Sequence, residues 1–313
     1  MTRILVTGAS GLLGSNLILE AHQAGHTVVA SARTRSIDHA GIAWMPAELT
    51  DSVAVAHLLD SVEPDWVIHC AAATDVDRCE EEPEWAYSLN RDAARQVAAA
   101  ARTANARLVH ISTDAVFDGE GGPYSEAEVA RPVNAYGQSK LAGEAAVSEA
   151  HPEALIVRTN FYGWSPRGRA SLAEWYLNGL RDGDPIRGFK DVWVSPLLAN
   201  DLAKFVLGLL ETGEAGIFHI GAGSCMSKYE FGLQLAQTFR LDGRGIRPAS
   251  VDVFGLRAPR PKRLCLAIEK IERTLSVQMP TVEEGLEQLK ALDVSGYRKK
   301  VYELVTQPRE VPG

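Results

Sequence analysis

The sequence predicts an α/β fold, with a doubly wound parallel sheet followed by a smaller carboxy-terminal α/β substrate-binding region. Short apolar runs alternate with helical segments over the first half of its 313 residues. A glycine-rich turn joins the first apolar run to the first helical segment. The composition, 46% hydrophobic and 23% charged, is that of a globular protein. Strands that alternate with helices pair in parallel through right-handed crossovers, which gives the fold class.

The predicted elements follow one another in a regular order. Five apolar runs rich in β-branched residues are typical of strands covered on both faces: Ile4–Thr7, Thr27–Ala32, Trp66–Cys70, Leu108–Ile111 and Leu155–Thr159. The segments between them predict four helices: Leu12–Ala24, Ser52–Leu59, Pro83–Thr103 and Ala135–Glu149. We expect a cofactor-binding and catalytic domain over 1–165. Residues 166–313, with helices near 200–211, 228–239 and 281–290, form the expected substrate-binding region, whose chain crosses back to the sheet.

Charge and composition exclude several classes of function. The 32 basic and 40 acidic residues give a net charge of −8, which argues against a nucleic-acid partner. No signal-peptide pattern and no apolar run of about 18 residues is visible, so we expect a cytoplasmic protein without a membrane partner. The four cysteines show no metal-binding spacing and are expected to be reduced thiols; no metal site is predicted.

A glycine-rich turn follows the first predicted strand. Gly8, Gly11 and Gly14 are spaced three residues apart, with Ser10, Leu12 and Leu13 between them. Glycine permits a tight turn and a close approach of the backbone to a pyrophosphate, while the next helix directs its free N–H groups at the anion. Between a strand and a helix, this pattern predicts a dinucleotide site of the Rossmann type.

The second strand bears on the type of dinucleotide. An acidic residue about 20 positions after the glycines would bind the ribose hydroxyl of NAD. Here Arg33 and Arg35 follow the strand, and the first acid is Asp38. Both arginines could hold a 2′-phosphate or could be solvated loop cations. The sequence favours NADP(H) over NAD(H).

A tyrosine and a lysine predict proton-transfer chemistry. Tyr136 and Lys140 are four residues apart, on one face of a helix. A neighbouring ammonium is expected to lower the pKa of the phenol toward the working range. Thr113 and Asp114 end the fourth predicted strand, at the sheet edge where ligands bind. Thr113 could hydrogen-bond a substrate carbonyl or only satisfy the backbone.

These motifs together resemble the extended short-chain dehydrogenase/reductases, within them most of all the dTDP-4-dehydrorhamnose reductase branch. The resemblance rests on three stretches: Ser112-Thr113-Asp114-Ala115-Val116-Phe117-Asp118-Gly119, Pro123-Tyr124-Ser125-Glu126 and Tyr136-Gly137-Gln138-Ser139-Lys140. It is specific over residues 1–165 and looser beyond, where Val194-Ser195-Pro196 and Ala258-Pro259-Arg260-Pro261 are similar to landmarks of the branch.

The resemblance implies NAD(P)H-dependent reduction of a keto group, C4 of a nucleotide-activated deoxy sugar. It makes Tyr136 the acid, Lys140 its partner and Thr113 the donor to the carbonyl. Its cofactor contacts fall on Gly11, Leu12, Leu13, Glu48, Leu49, Ala71, Ala72 and Ala73. Phe161 replaces a substrate-contacting Trp, and Ala115 replaces a Tyr. Ala115 also stands where related dehydratases carry the acid that eliminates water.

Other candidates lie mainly in the second half. Trp164, Trp175 and Trp193 could stack on a sugar or base, or pack in a core. The basic cluster Arg257, Arg260, Lys262 and Arg263 could clamp a substrate pyrophosphate, with Arg260 as the preferred residue, or could be a solvated loop. His69, His110 and His219 are expected to be buried structural residues. With Thr113, the predicted substrate-binding residues are Asp114, Phe161, Trp193 and Arg260.

Two other functions remain open at the level of sequence. One is a nucleotide-sugar epimerase that retains NAD, against which Arg33 and Arg35 argue mildly. The other is a non-catalytic cofactor-binding subunit, resembling the regulatory subunit of methionine adenosyltransferase, against which Thr113, Tyr136 and Lys140 argue. A homodimer is compatible with the sequence.

Overall fold

A seven-stranded parallel sheet organises the computed structural model, which describes residues 1–33, 36–166 and 170–306. Its strands are β1 Arg3–Thr7, β2 Thr27–Ser31, β3 Ile42–Met45, β4 Trp66–His69, β5 Arg107–Ile111, β6 Leu155–Thr159 and β7 Gly216–Ile220. The spatial order is β7-β6-β5-β4-β1-β2-β3, and every neighbouring pair is parallel. The order reverses direction beside β1, which places a crevice at the carboxyl ends of β1 and β4.

Helices cover both faces of this sheet. They are α1 Leu12–Gln23, α2 Ser52–Val62, α3 Val76–Glu81, α4 Pro83–Tyr87, α5 Ala93–Thr103, α6 Ala135–Ala150, α7 Leu172–Asp182, α8 Ala199–Thr212, α9 Lys228–Thr238, α10 Glu269–Leu275, α11 Val282–Val294 and α12 Tyr297–Leu304. A π-helical turn, Ser88–Asp92, joins α4 to α5. The predicted α/β class with a doubly wound sheet is confirmed.

Alternate residues of the central strand serve two separate cores. Ile4 and Val6 belong to a core with α1 and α8, whereas Leu5 belongs to a core with α2, α5 and α6. Successive side chains of a strand point to opposite faces, so a strand buried on both faces must be apolar throughout. This explains why the central strands read as continuous apolar runs.

Side-chain caps fix the starts of several helices. Asn134 accepts a hydrogen bond from the backbone of Gly137 and so begins α6, the helix that carries the Tyr–Lys pair. Capping boxes begin α7 at Ser171, α9 at Ser227 and α11 at Thr281. Such caps satisfy backbone donors that have no partner within the helix.

After β6 the chain forms short strand pairs around the carboxyl edge of the sheet. Phe161–Tyr162 pairs with Leu197–Leu198, Ile186–Phe189 with Ile246–Ala249, Trp193–Val194 with Met226–Ser227, and Ser36–Ile37 with Val305–Thr306. The chain then returns to the sheet, where β7 pairs with β6. The second part of the chain therefore contributes to the same sheet, and the division near residue 165 stays a prediction.

The expectation of four reduced cysteines is wrong for two of them. Cys225 and Cys265 form a disulfide whose Cα atoms are 5.8 Å apart, while Cys70 and Cys79 take part in no disulfide. Cys225 and Cys265 are 40 residues apart in sequence, so only the tertiary fold brings them together. In the described part of the chain, no helix combines the length and apolarity that a membrane crossing requires.

Candidate active site

A cavity of about 760 Å³ opens at the carboxyl edge of the sheet. This volume lies within the range of about 300–1,000 Å³ that is usual for small-molecule sites. Its lining includes most of the predicted cofactor and catalytic residues: Gly8, Ser10, Gly11, Leu12, Leu13, Gly14, Arg33, Glu48, Leu49, Ala71, Ala72, Thr113, Tyr136, Lys140 and Phe161. The structure thus brings together residues from six strand ends and two helices.

The glycine turn is built for close backbone approach. Gly8 has a φ of 68°, and the N–H of Gly11 donates to its carbonyl at 2.9 Å. A Cβ on Gly8 would lie 2.5 Å from the backbone nitrogen of Ala71, and one on Gly14 would lie 2.3 Å from the carbonyl oxygen of Gly8. Because side chains are excluded there, the start of α1 faces the cavity with free N–H groups, a cradle that fits a pyrophosphate.

The residues after β4 form the opposite wall of this cradle. Ala71 and Ala72 line the cavity, whereas Ala73 is 2% exposed and turned inward. The backbone N–H of Ala73 donates to the side chain of Asn90 at 2.8 Å, and its carbonyl accepts from the same amide at 3.1 Å. Ala73 therefore supports the wall from behind.

Arg33 lies at the far end of the cavity, next to Glu48. Its guanidinium is 3.5 Å from one carboxylate oxygen of Glu48, whose other oxygen accepts hydrogen bonds from Thr50. The Arg33 side chain is 64% exposed, so the pair is solvated. Arg35, the other candidate for a 2′-phosphate, lies outside the described residues.

Thr113 and Tyr136 meet in the cavity. A hydrogen bond from Thr113 lowers the pKa of the Tyr136 phenol, but burial outweighs it and raises that pKa to about 12. The expected net lowering of this pKa is wrong for this structure, because burial dominates and the Lys140 ammonium donates to the carbonyl of Ile111 at 2.7 Å and not to the phenol. Desolvation penalises the phenolate, so Tyr136 remains a protonated phenol at neutral pH.

Lys140 is held deeper than Tyr136. Its side chain is 2% exposed, and burial lowers the pKa of its ammonium to about 8. Glu144, one helical turn further on, and the nearby Cys70 act in the opposite direction. The ammonium therefore titrates close to neutral pH.

A buried ion pair supports the strand end that carries Thr113. Arg158 makes a two-pronged contact with Glu144, with a shortest distance of 2.7 Å, and both side chains are 4% exposed. The hydroxyl of Ser112 donates to the same carboxylate at 2.5 Å. This network joins β5, β6 and α6 directly beneath the catalytic candidates.

Asp114 lies behind Thr113 and not in the cavity lining. It is 2% exposed, and burial raises the pKa of its carboxyl to about 6. It accepts hydrogen bonds from Thr113 at 3.1 Å and from Asn160 at 2.8 Å. The positive charge of Lys228, at the start of α9, lowers the pKa of the Asp114 carboxyl and so partly offsets the effect of burial. These polar residues connect the cavity with the carboxy-terminal region.

The other substrate candidates are placed unequally. Phe161 lines the cavity, whereas Trp193 is half-buried in a short strand outside its lining. Arg260 also lies outside it and donates to Asp77 at 2.8 Å. Trp164 is completely buried, and its indole N–H donates to the carbonyl of Leu289, so it is a core residue. Trp175 is 48% exposed on α7.

The three strand histidines are buried, as expected. Burial lowers the pKa of His69 to about 3 and holds that of His110 well below its usual range. Nδ1 of His219 donates to the carbonyl oxygen of Tyr124 at 3.0 Å. All three are neutral at working pH.

Sequence reasoning missed two residues of the site. Asn160 directly follows β6 and lines the cavity. Ligands of a parallel sheet bind at the carboxyl ends of its strands, so the position of Asn160 in the sequence could have predicted its place in the site. Asn90 lies in the π-helical turn and donates to Ser139 at 2.9 Å, linking the wall at Ala73 to α6. A π-turn within a helical pattern leaves no signal in the sequence, although such turns are frequent at functional sites.

Several known proteins are similar to this chain in sequence. The family model described as RmlD substrate binding domain matches residues 1–293. The chain is 36% identical over 291 residues to a probable low-salt glycan biosynthesis reductase, Agl14, of Haloferax volcanii, which covers 91% of this chain and 96% of the relative. It is 33% identical over 288 residues to the methionine adenosyltransferase 2 subunit beta of Mus musculus, covering 89% and 84%.

A solved structure is similar to this chain in fold. The dTDP-4-dehydrorhamnose reductase of Bacillus anthracis, crystallised in complex with NADP, superposes with a TM-score of 0.81. The two chains are 30% identical, and the match covers 93% of this chain and 99% of that one. The chain therefore belongs to the RmlD substrate-binding-domain family of reductases, in the dTDP-4-dehydrorhamnose reductase branch of the extended short-chain dehydrogenase/reductases.

Proposed function

We propose that this oxidoreductase uses NADPH to reduce a keto group, C4 of a nucleotide-activated deoxy sugar such as dTDP-4-dehydrorhamnose. The observation that carries the proposal is the convergence of Thr113, Tyr136 and Lys140 on the cavity that the glycine turn begins. A dinucleotide seated on that turn would extend along the sheet edge from Arg33 toward Tyr136.

The side chains of the site fit the needs of carbonyl reduction. A bound reduced nicotinamide would supply the hydride. Tyr136, protonated at neutral pH, gives its phenol proton to the developing alkoxide, which is a stronger base than a phenolate. Thr113 hydrogen-bonds the carbonyl oxygen and orients it toward Tyr136. Lys140 remains beneath them as an ammonium that stabilises the phenolate left behind.

The preference for NADP(H) rests on Arg33. The crystallised relative from Bacillus anthracis holds NADP, and a guanidinium at the end of the second strand suits a 2′-phosphate. Glu48 competes for this guanidinium in the present structure. We therefore propose NADPH as the better cofactor, with NADH as a weaker one.

The substrate side is proposed to include Asp114, Phe161, Trp193 and Arg260. Phe161 borders the cavity next to Asn160, whose side-chain amide donates to Asp114. Phe161 is smaller than the Trp that the resemblance implies at this position, which leaves more room for the sugar. A cytoplasmic location and a homodimer stay predictions.

The relative named methionine adenosyltransferase 2 subunit beta supports a second candidate function, a non-catalytic regulatory subunit. The complete Thr113, Tyr136 and Lys140 set favours an enzyme instead. An epimerase that retains NAD is the third candidate. Each predicts a different behaviour of the purified protein.

One experiment separates these candidates. Purified protein is incubated with NADPH or NADH and a panel of nucleotide 4-keto sugars, and oxidation of the cofactor is followed at 340 nm with product analysis by mass spectrometry. The proposal expects stoichiometric NADPH oxidation and a product heavier by two hydrogens. Epimerisation without net cofactor oxidation would establish the epimerase, and binding without turnover over the whole panel would favour the regulatory subunit.

A further inference from the structure

Two stacked histidines lie under Lys140 and have no part in the reaction described above. His69 ends β4 and His110 lies opposite it on β5, where the two residues are paired in register. They are 1% and 0% exposed. Their ring centroids are 5.3 Å apart with an angle of 22° between the planes. Burying two imidazoles beside a lysine is costly unless they make specific contacts.

His110 makes such a contact with Lys140. The Nζ of Lys140 is 3.4 Å from Nε2 of His110 and 2.7 Å from the carbonyl oxygen of Ile111. An ammonium has three N–H donors, and two are directed at these acceptors. The third is left for the cavity, whose lining includes Lys140.

A hydrogen bond from the Lys140 ammonium to Nε2 requires one protonation state of the histidine. Nε2 can accept from an ammonium only when it carries no proton, so the ring must be the neutral tautomer with its proton on Nδ1. Burial, the Lys140 charge and His69 all lower the pKa of His110, which keeps the ring neutral. Nδ1 of His110 itself has no hydrogen-bond partner among the described residues.

We propose that His110 is a positioning residue for Lys140: its Nε2 accepts a hydrogen bond from the ammonium, stabilises its charge and directs the remaining N–H into the cavity. The catalytic consequence rests on the proposed function, whereas the hydrogen bond does not. His69 supports the arrangement by stacking on His110, with its own Nδ1 2.7 Å from the hydroxyl of Thr7.

Other groups around Lys140 also influence its pKa, and they determine how much a hydrogen bond to His110 can change its charge. Glu144 on the same helix and Cys70 after β4 favour the ammonium, although Arg158 partly occupies Glu144. Tyr136, one turn earlier, is a neutral phenol, and His69 is neutral. Burial disfavours the ammonium and holds its pKa at about 8. With the pKa this close to neutrality, the loss of one acceptor changes the charge of Lys140 at working pH.

The kinetic test compares two substitutions at one position. His110→Phe keeps a flat ring without an acceptor, whereas His110→Gln keeps an acceptor oxygen. With NADPH and a keto sugar, we expect the alkaline fall of kcat to move down by about one pH unit in His110→Phe, the usual scale of losing a hydrogen bond to a charged group. In His110→Gln it should stay within about 0.3 unit, which a merely structural role of the ring would not produce.

His151→Phe is the matched control. His151 is also buried and ends the same helix, but it bonds the carbonyl of Ala106 far from Lys140. We expect kcat of His151→Phe to fall at the same alkaline pH as kcat of the wild type. The proposal would be overturned if the alkaline fall of kcat did not move in His110→Phe, or if it moved equally in His151→Phe.

A second measurement needs neither activity nor a substituted histidine. In ¹⁵N-histidine-labelled wild-type protein, we expect His110 to show an unprotonated Nε2 and a protonated Nδ1 between pH 6 and 7.5. Lys140→Met should shift that Nε2 resonance and leave His151 unchanged. The opposite tautomer, or no response to Lys140→Met, would refute the hydrogen bond even if the protein reduces nucleotide sugars. If both signals appear as expected in a protein without reductase activity, only the proposed function fails.

Discussion

The amino-terminal and carboxy-terminal parts of the molecule hold their polar groups by different means. Beneath the cavity, Glu144 and Arg158 form an ion pair with both side chains 4% exposed. In the carboxy-terminal part, Asp242 and Arg244 pair with side chains 58% and 91% exposed. A buried pair is fixed by the packing around it, whereas an exposed pair is screened by water and exchanges readily. We therefore expect a rigid base beneath the site, formed by Glu144 and Arg158, and a more adjustable carboxy-terminal side.

The same contrast appears in the backbone. The glycine turn and the wall after β4 are set by contacts that leave no room for a Cβ. The carboxy-terminal segments near Trp193 and Arg260 are held by two-residue strand pairs, ion pairs and the disulfide between Cys225 and Cys265. We expect substitutions in the first part to change turnover or stability, and those in the second to change KM.

The largest effect is expected at Tyr136. Tyr136→Phe keeps the ring and removes the proton donor, so kcat should fall by about 10²–10⁴-fold while the Kd for NADPH changes little. Tyr302→Phe, on the exposed side of α12, is the control and should keep wild-type turnover. Stopped-flow or steady-state assays decide, and near-normal turnover of Tyr136→Phe would exclude it as the acid.

Glu144→Gln tests the rigid base itself. Removing one charge leaves Arg158 buried without its counter-ion, which is expected to lower the free energy of unfolding by about 3 kcal/mol. Asp242→Asn makes the matched change in the exposed pair, where we expect no measurable change. Urea unfolding followed by circular dichroism measures both, and equal stability of Glu144→Gln and the wild type would mean that the network contributes no rigidity.

The sequence predicted the amino-terminal part better than the rest for a physical reason. The strands β1, β2, β4, β5 and β6 are buried on both faces, so each is a continuous apolar run. The sequence did not predict strand β3, because it is an edge strand with Ala43 and Trp44 exposed and therefore has no continuous buried apolar run. The two-residue strands after β6 are too short to have a pattern of their own, since they form only where the tertiary fold brings the segments together.

The site shows the same limit. The strand–turn–helix pattern identified the glycine turn, and helical spacing identified Tyr136 and Lys140. Their charge state could not be predicted, because the direction of the Lys140 side chain depends on Ile111 and His110 from a distant strand. Likewise, Arg260 was a candidate clamp by its charge alone, and only the fold reveals Asp77 as its partner.

A smaller effect is expected at the far end of the cofactor cavity. Arg33→Ala should weaken NADPH binding about tenfold, near the lower end for a hydrogen bond to a charged group because Arg33 is exposed. NADH, which has no 2′-phosphate, should bind almost as before. Glu48→Gln removes the competing charge and should tighten NADPH binding about twofold. Fluorescence titration with both cofactors measures these changes, and equal weakening of NADPH and NADH would exclude Arg33 as the discriminating residue.

The smallest effect is expected at Arg260, where the adjustable side of the molecule is tested. If Arg260 contacts a substrate phosphate, Arg260→Ala should raise KM for the nucleotide sugar about three- to fivefold, with kcat and the Kd for NADPH unchanged, since such a contact serves ground and transition states alike. Asp77→Asn is the informative partner. It removes the charge that occupies Arg260, but an amide oxygen can still accept from the backbone of Ala258, as Asp77 does now at 3.0 Å. A direct phosphate contact therefore predicts that Asp77→Asn leaves KM unchanged or lowers it. If instead the ion pair only fastens this segment to α3, both substitutions should raise KM by the same factor, and Arg260 would then be a support of the substrate side and not a contact.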